Sequence, residues 1–182
     1  MINIPNALTL LRILLVPLFL SLVADGSMKL ALIVFVAAGI TDGIDGLIAR
    51  LTDSRTELGA HLDPLADKLL LVSAFIAMGL IGYVPLQLMI LVIMRDVVIL
   101  GGYITSAILV GKAMEMNPSV WGKATTFFQI TTVSLVMVSE SGWLVIPADA
   151  LTLVFVVTGT LTIVSGIGYV FDGIRWYQTV EP

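Results

Sequence analysis

The sequence predicts an all-α integral membrane protein with six transmembrane helices, and three observations carry that prediction. Its 182 residues are 58% hydrophobic, with a mean hydropathy of +1.07. Only 12% are charged, against roughly 25% in soluble domains. The apolar residues also gather into runs of about 18–25, each long enough to cross a hydrocarbon core about 30 Å thick. The linkers are too short to hold a second folded unit, so residues 1–182 read as a single membrane domain.

The runs lie near residues 6–24, 30–50, 59–82, 85–110, 120–139 and 148–173. Pro5 stands where a first helix would begin, a position that tolerates its missing N–H. The run behind it opens with Asn6, Thr9 and Arg12 and lacks a small-residue cleavage site. It therefore reads as a helix and not as a signal peptide. Asp25-Gly26-Ser27 ends it. Basic residues set the orientation. With the N-terminus inside, Arg50, Arg55, Lys112, Lys123 and Arg175 fall on the cytoplasmic side. Lys29 falls outside, beside Asp25, Glu140 and Asp149. The net charge of −4 argues against a nucleic-acid partner. There is no cysteine and only one histidine, His61, so any metal must be held by oxygen, which favours Mg²⁺ or Mn²⁺.

Four carboxylates organise the chain. Asp42, Asp45, Asp63 and Asp67 fall within 26 residues of an otherwise oily sequence. Such residues in a membrane protein are expensive unless paired, hydrated or bound to metal. Asp42 and Asp45 are three apart, and Asp63 and Asp67 four apart, so each pair shares a helix face. A polar break near residues 50–58 separates the two runs. Counting outward from it at 1.5 Å per residue puts Asp45 and Asp63 each about 7 Å up their helices. Asp42 and Asp67 each come to about 12–13 Å. Matched depths predict one acidic cup opening to the cytoplasm. Gly46 and Gly59 flank it with surface free of side chains, where a ligand can approach closely. Two divalent ions some 3.5–4 Å apart would account for all four carboxylates and would suit displacement at phosphorus. The plainer alternative is two hydrogen-bonded pairs or an ion path.

The pattern Asp42-x2-Asp45-Gly46-x2-Ala49-Arg50-x8-Gly59-x3-Asp63-x3-Asp67 resembles the signature of the CDP-alcohol phosphotransferase (CDP-alcohol phosphatidyltransferase) family at all eight fixed positions. The resemblance extends to the six runs and to the opening Ile4-Pro5-Asn6-x2-Thr9-x2-Arg12. The Ile4-Pro5-Asn6 opening, Asp63-Pro64-Leu65-Ala66-Asp67-Lys68 and Gly122-Lys123 are similar to the phosphatidylglycerophosphate synthase and cardiolipin synthase branch. It implies a homodimeric, six-helix bundle that moves a phosphatidyl group from CDP-diacylglycerol to an alcohol and releases CMP. It also implies Asp42, Asp45 and Asp63 as ligands of two divalent metals, with Asp67 as general base that also touches metal. Gly46, Ala49 and Gly59 would make room for the cytidine half of the donor. Arg50 reads either as a diphosphate or cytidine contact or as a snorkelling interface residue.

The acceptor is less legible. Glycerol 3-phosphate needs a basic pocket, and Arg12, Arg95 and Lys123 are the candidates to supply it, each weighed against a structural role. Thr125 and Thr126 follow Lys123 and add possible donors. Arg95 and Asp96 are adjacent, so on a helix they point about 100° apart and need not pair. The absence of a later arginine before Lys112 is closer to the cardiolipin synthases, whose acceptor is phosphatidylglycerol. Gly101-Gly102 and Ser106 predict a close helix contact or a dimer face. The rival of another class is a transporter using intramembrane aspartates as a relay, which predicts carboxylates spread through the membrane's depth.

Overall fold

The computed structural model describes the backbone of residues 4–52, 57–110 and 119–180, and the side chains of 11–41, 68–106 and 119–179. Six helices and no strands occur among these residues. They are α1 (Ile4–Ala24), α2 (Met28–Thr52), α3 (Glu57–Ile81), α4 (Leu86–Val110), α5 (Val120–Glu140) and α6 (Ala148–Val180). Hydropathy thus located every helix. The largest difference is at α6, which continues to Val180 beyond the apolar run. Asp172, Arg175 and Gln178 end the hydrophobic pattern there, yet adding a residue to an existing helix is easy for any good helix former.

Local chemistry explains the helix ends. After α1, Gly26 takes a φ of 72°, its N–H donates to the Val23 carbonyl, and Ser27 N–H donates to that of Leu22. After α3, Gly82 has a φ of 94°, and both Gly82 and Tyr83 donate to Met78. In each case the left-handed glycine turns the chain back onto the last carbonyls of the helix. Ser119 starts α5, its hydroxyl accepting from Gly122 N–H at 3.0 Å, the expected cap geometry. Pro85 and Pro147 precede α4 and α6, where their carbonyls accept the first helical hydrogen bonds. Pro17, inside α1, removes one backbone bond, a loss that membrane helices tolerate.

The chain forms two compact units, Met1–Tyr83 with Val133–Ile146, and Val84–Thr132 with Pro147–Pro182. In the first, α1 packs along both α2 and α3. Phe19 and Phe35 tilt against each other with ring centroids 5.9 Å apart, and Val16, Val23, Ala31, Ala38, Ala74, Phe75 and Met78 are buried. The turn after α1 and the end of α5 share a recess lined by Gly26, Lys29, Glu140 and Ser141. In the second unit α4 packs along α6. Gly159 and Gly166 of α6 face α4, where an added Cβ would meet Leu88 Cδ1 and Arg95 Cγ at 3.7 Å, ordinary contact distance. Gly101 and Gly102 on α4 are instead exposed, with nothing within 4 Å of a Cβ on Gly101.

Polar side chains are buried beside the apolar core, and apolar ones face outward. Arg12, Arg95, Asp96, Thr125, Gln129, Thr132, Thr158, Thr162 and Ser165 are buried, while large apolar residues along α4 and α6 are exposed, among them Leu86, Ile90, Met94, Val156, Ile167 and Phe171. So much exposed apolar surface fits a lipid solvent and not water. Among the described residues two segments are long and apolar enough to cross a membrane, Leu86–Ser106 and Ala148–Thr179. The described parts of α1, α2 and α3 supply shorter apolar stretches, Leu11–Ala24, Met28–Thr41 and Lys68–Ile81.

Candidate active site

The signature residues fall on two consecutive helices of the first unit. Asp42, Asp45, Gly46, Ala49 and Arg50 occupy the second half of α2, and Gly59, Asp63 and Asp67 the first half of α3. The helical backbone gives the expected spacing, with Asp42 and Asp45 on one face of α2 and Asp63 and Asp67 on one face of α3. The side chains of all eight lie outside the described residues, as do those of Arg55, His61 and Lys112. The described part of α2 ends at Thr41, whose hydroxyl donates to the carbonyls of Ala37 at 3.0 Å and Ala38 at 2.8 Å. With four signature carboxylates, no cysteine and one histidine in the sequence, any donor set drawn from these residues would be oxygen, which fits a hard divalent cation such as Mg²⁺ or Mn²⁺. Among the described residues no group of three acidic, histidine or cysteine side chains is placed to hold a metal.

The three basic candidates have different surroundings. Arg12 belongs to α1 in the first unit and is 2% exposed, an interior residue. Arg95 and Lys123 belong to the second unit. Lys123 is exposed in the first turn of α5. Arg95 is buried, and its Nη1 donates to Asp96 Oδ1 at 2.6 Å, an ion pair inside the protein. The 100° between neighbouring side chains does not keep the two apart. Arginine's long stem folds back, because an uncompensated carboxylate in apolar surroundings costs several kcal/mol, on the order of 3–5. Arg95 Nη2 donates to Ser165 Oγ on α6 at 3.3 Å, and its guanidinium carbon lies 5.4 Å from the centre of the Tyr169 ring. Its buried Nε has no hydrogen-bond partner among the described residues. Leu91, Met94, Val98, Ile163, Ile167 and Phe171 surround Arg95 in an open apolar groove of about 300 Å³ between α4 and α6.

The hydroxyls of Thr125 and Thr126, expected to assist Lys123, are committed elsewhere. Thr125 donates within reach of two carbonyls, Trp121 at 2.8 Å and Leu161 at 3.0 Å, and Thr126 reaches the Gly122 carbonyl at 3.2 Å. Both therefore serve backbone. Thr125 begins a polar seam to α6 that sequence reading missed. Gln129 Nε2 reaches Thr162 Oγ1 at 3.5 Å, and Thr132 and Thr158 hydroxyls meet at 2.8 Å. The spacing 125, 129, 132 on α5 answers 158, 162, 165 on α6, one face of each helix. Tyr169 and Ser165, the residues that hold Arg95, continue the α6 face. Their four-residue spacing was the available signal, obscured because Ser, Thr and Gly recur throughout α6.

Helices alone among the described residues, polar side chains buried beside an apolar core and a broad exposed apolar surface on α4 and α6 define a membrane protein. The chain belongs to the CDP-alcohol phosphatidyltransferase family, whose family model matches residues 2–166. It is 34% identical over 180 residues to a probable phosphatidylglycerophosphate synthase of Mycobacterium tuberculosis, covering 95% of this chain and 82% of that protein. It is 32% identical to the CDP-diacylglycerol–glycerol-3-phosphate 3-phosphatidyltransferase of Bacillus subtilis, covering 93% of this chain and 94% of that one. It is also 29% identical to a probable CMP-forming cardiolipin synthase of Drosophila melanogaster, covering 98% of this chain and 60% of that protein. The protein is accordingly a transferase of phospholipid biosynthesis, acting by CDP-alcohol phosphatidyl transfer.

Proposed function

We propose that the protein transfers the phosphatidyl group of CDP-diacylglycerol to a hydroxyl of glycerol 3-phosphate, with release of CMP. One observation carries this reading: the eight-position signature is unbroken in a chain that aligns almost end to end with a relative named for that reaction. The acceptor oxygen attacks the β-phosphorus. A new P–O bond forms, the bond from that phosphorus to the CMP oxygen breaks, and CMP leaves with the electron pair. Asp67 takes the proton of the acceptor hydroxyl. Asp42, Asp45, Asp63 and Asp67 hold two divalent cations, Mg²⁺ or Mn²⁺. When bound, these supply positive charge against the diphosphate and the departing CMP. Gly46, Ala49 and Gly59 leave space for the cytidine half, and Arg50 contacts diphosphate or cytidine. Arg95 and Lys123 are the cations for the acceptor's phosphate, and Arg12 is a further candidate.

In this reading residues 1–182 act as one domain with all six helices in the bilayer. The N-terminus and the acidic cup face the cytoplasm, as the distribution of basic residues favours. The location is the bacterial inner membrane. The protein works as a homodimer, for which the exposed Gly101-Gly102 of α4 offers a close-contact face.

A second reading has specific support. The ion pair between Arg95 and Asp96 offsets the arginine's charge, which suits a singly charged phosphodiester such as phosphatidylglycerol better than a phosphomonoester. That would make the protein a cardiolipin synthase. The deciding experiment measures CMP release from CDP-diacylglycerol with Mg²⁺ or Mn²⁺, offering glycerol 3-phosphate and phosphatidylglycerol in turn. Release with glycerol 3-phosphate is expected. Release with phosphatidylglycerol alone would overturn the acceptor assignment, and release with neither would return the intramembrane-carboxylate transporter to consideration.

A further inference from the structure

We infer that Tyr169 is a positioning residue, held against the backbone of α5 at Gly122, whose ring fixes the plane in which the Arg95 guanidinium is presented. The inference rests on the proposed role of Arg95 at the acceptor's phosphate.

Three helices of one unit meet at this point. Arg95 comes from α4, Tyr169 and Ser165 from α6, and Gly122 from the first turn of α5. A guanidinium is a flat fork whose usefulness toward phosphate depends on its orientation. Asp96 holds Nη1 at 2.6 Å and Ser165 receives Nη2 at 3.3 Å. Two such contacts define an edge of the fork and still permit tilt about it. The Tyr169 ring, 5.4 Å from the guanidinium carbon, supplies the face that stops the tilt, with a cation–π attraction strengthened by burial. Nε is left without a hydrogen-bond partner among the described residues.

The far end of the tyrosine is confined as well. A Cβ on Gly122 would come within 2.9 Å of Tyr169 Oη and 3.5 Å of its Cε2. The first distance is closer than carbon and oxygen tolerate, and the second is ordinary contact. A methyl at 122 therefore cannot coexist with the Tyr169 hydroxyl where it now lies, so an alanine there must displace the end of the tyrosine. The displaced ring would no longer present its face to Arg95 as it does now. Removing the hydroxyl would take away the clash and leave the ring's face in place.

This gives a test that a general packing role would not pass. KM for glycerol 3-phosphate and for CDP-diacylglycerol, with kcat, is measured on the purified full chain in lipid for Gly122→Ala, Tyr169→Phe, Tyr169→Leu and Gly122→Ala/Tyr169→Phe. Gly122→Ala and Tyr169→Leu are expected to raise the KM for glycerol 3-phosphate roughly 5- to 30-fold, the range of a buried cation–π contact. The KM for CDP-diacylglycerol should stay near that of the parent. Tyr169→Phe should have little effect alone and should restore the acceptor KM when combined with Gly122→Ala. The inference is overturned if Gly122→Ala leaves the acceptor KM unchanged, if the donor KM moves as far, or if Tyr169→Phe fails to rescue. Arg95→Lys, which keeps a cation beside Asp96 but loses the fork, separates the two levels. An unchanged acceptor KM in Arg95→Lys overturns the reading of Arg95 itself. A raised one, with Gly122→Ala silent, overturns the role of Tyr169 alone.

Discussion

Replacing Asp96 by asparagine would leave the Arg95 guanidinium buried without its neutralising charge. The pair is 2.6 Å apart, with side chains only 7% and 11% exposed, so solvent cannot take over the role of the lost carboxylate. Removing one partner of a buried pair costs about 3–5 kcal/mol. For a chain of this size each kcal/mol lowers the unfolding midpoint by about 2–4 °C, so the expected drop is roughly 6–20 °C. The double replacement Arg95→Met/Asp96→Leu removes both charges together. It should recover most of that loss, since apolar residues of similar volume commonly match or exceed a buried pair in stability. Thermal unfolding in detergent, followed by loss of the monodisperse size-exclusion peak, measures both variants. Acceptor-dependent CMP release measures function. The double variant should be stable yet impaired toward glycerol 3-phosphate. An Asp96→Asn protein as stable as its parent would refute the reasoning, as would a double variant no better than the single one.

Two further outcomes follow from the site and the seam. Asp67→Asn should abolish turnover while keeping much of the binding of Mn²⁺ and CDP-diacylglycerol, whereas Asp42→Asn and Asp63→Asn should weaken Mn²⁺ binding as well. Titration with Mn²⁺ checks this, and equal loss in all three would remove the distinction between base and ligand. Thr132→Val and Thr158→Val, combined in a double-mutant cycle, should show a coupling of about 0.6 kcal/mol and no more than about 1.7, the range for hydrogen bonds between membrane helices. A coupling of zero would mean that the 2.8 Å contact adds nothing to the association of α5 with α6.

The sequence alone determined the helices and the places of the signature residues on α2 and α3. Helix positions follow from the length of each apolar run and from local caps such as Asp25-Gly26-Ser27, information contained within a few turns of chain. The eight fixed positions on α2 and α3 were legible for the same reason, because three- and four-residue spacing sets the helix face directly. Only the tertiary structure decided the environment of Arg95. Its hydrogen bond to Ser165 joins residues 70 apart in sequence, and the Tyr169 ring approaches it from the same helix. The commitment of Thr125 to the Leu161 carbonyl and the contact between Gly122 and Tyr169 were decided in the same way. Periodicity says which face of a helix is polar or small. Which partner meets that face depends on how helices distant in sequence pack together, since in a bilayer a polar side chain is stabilised by partners within the protein.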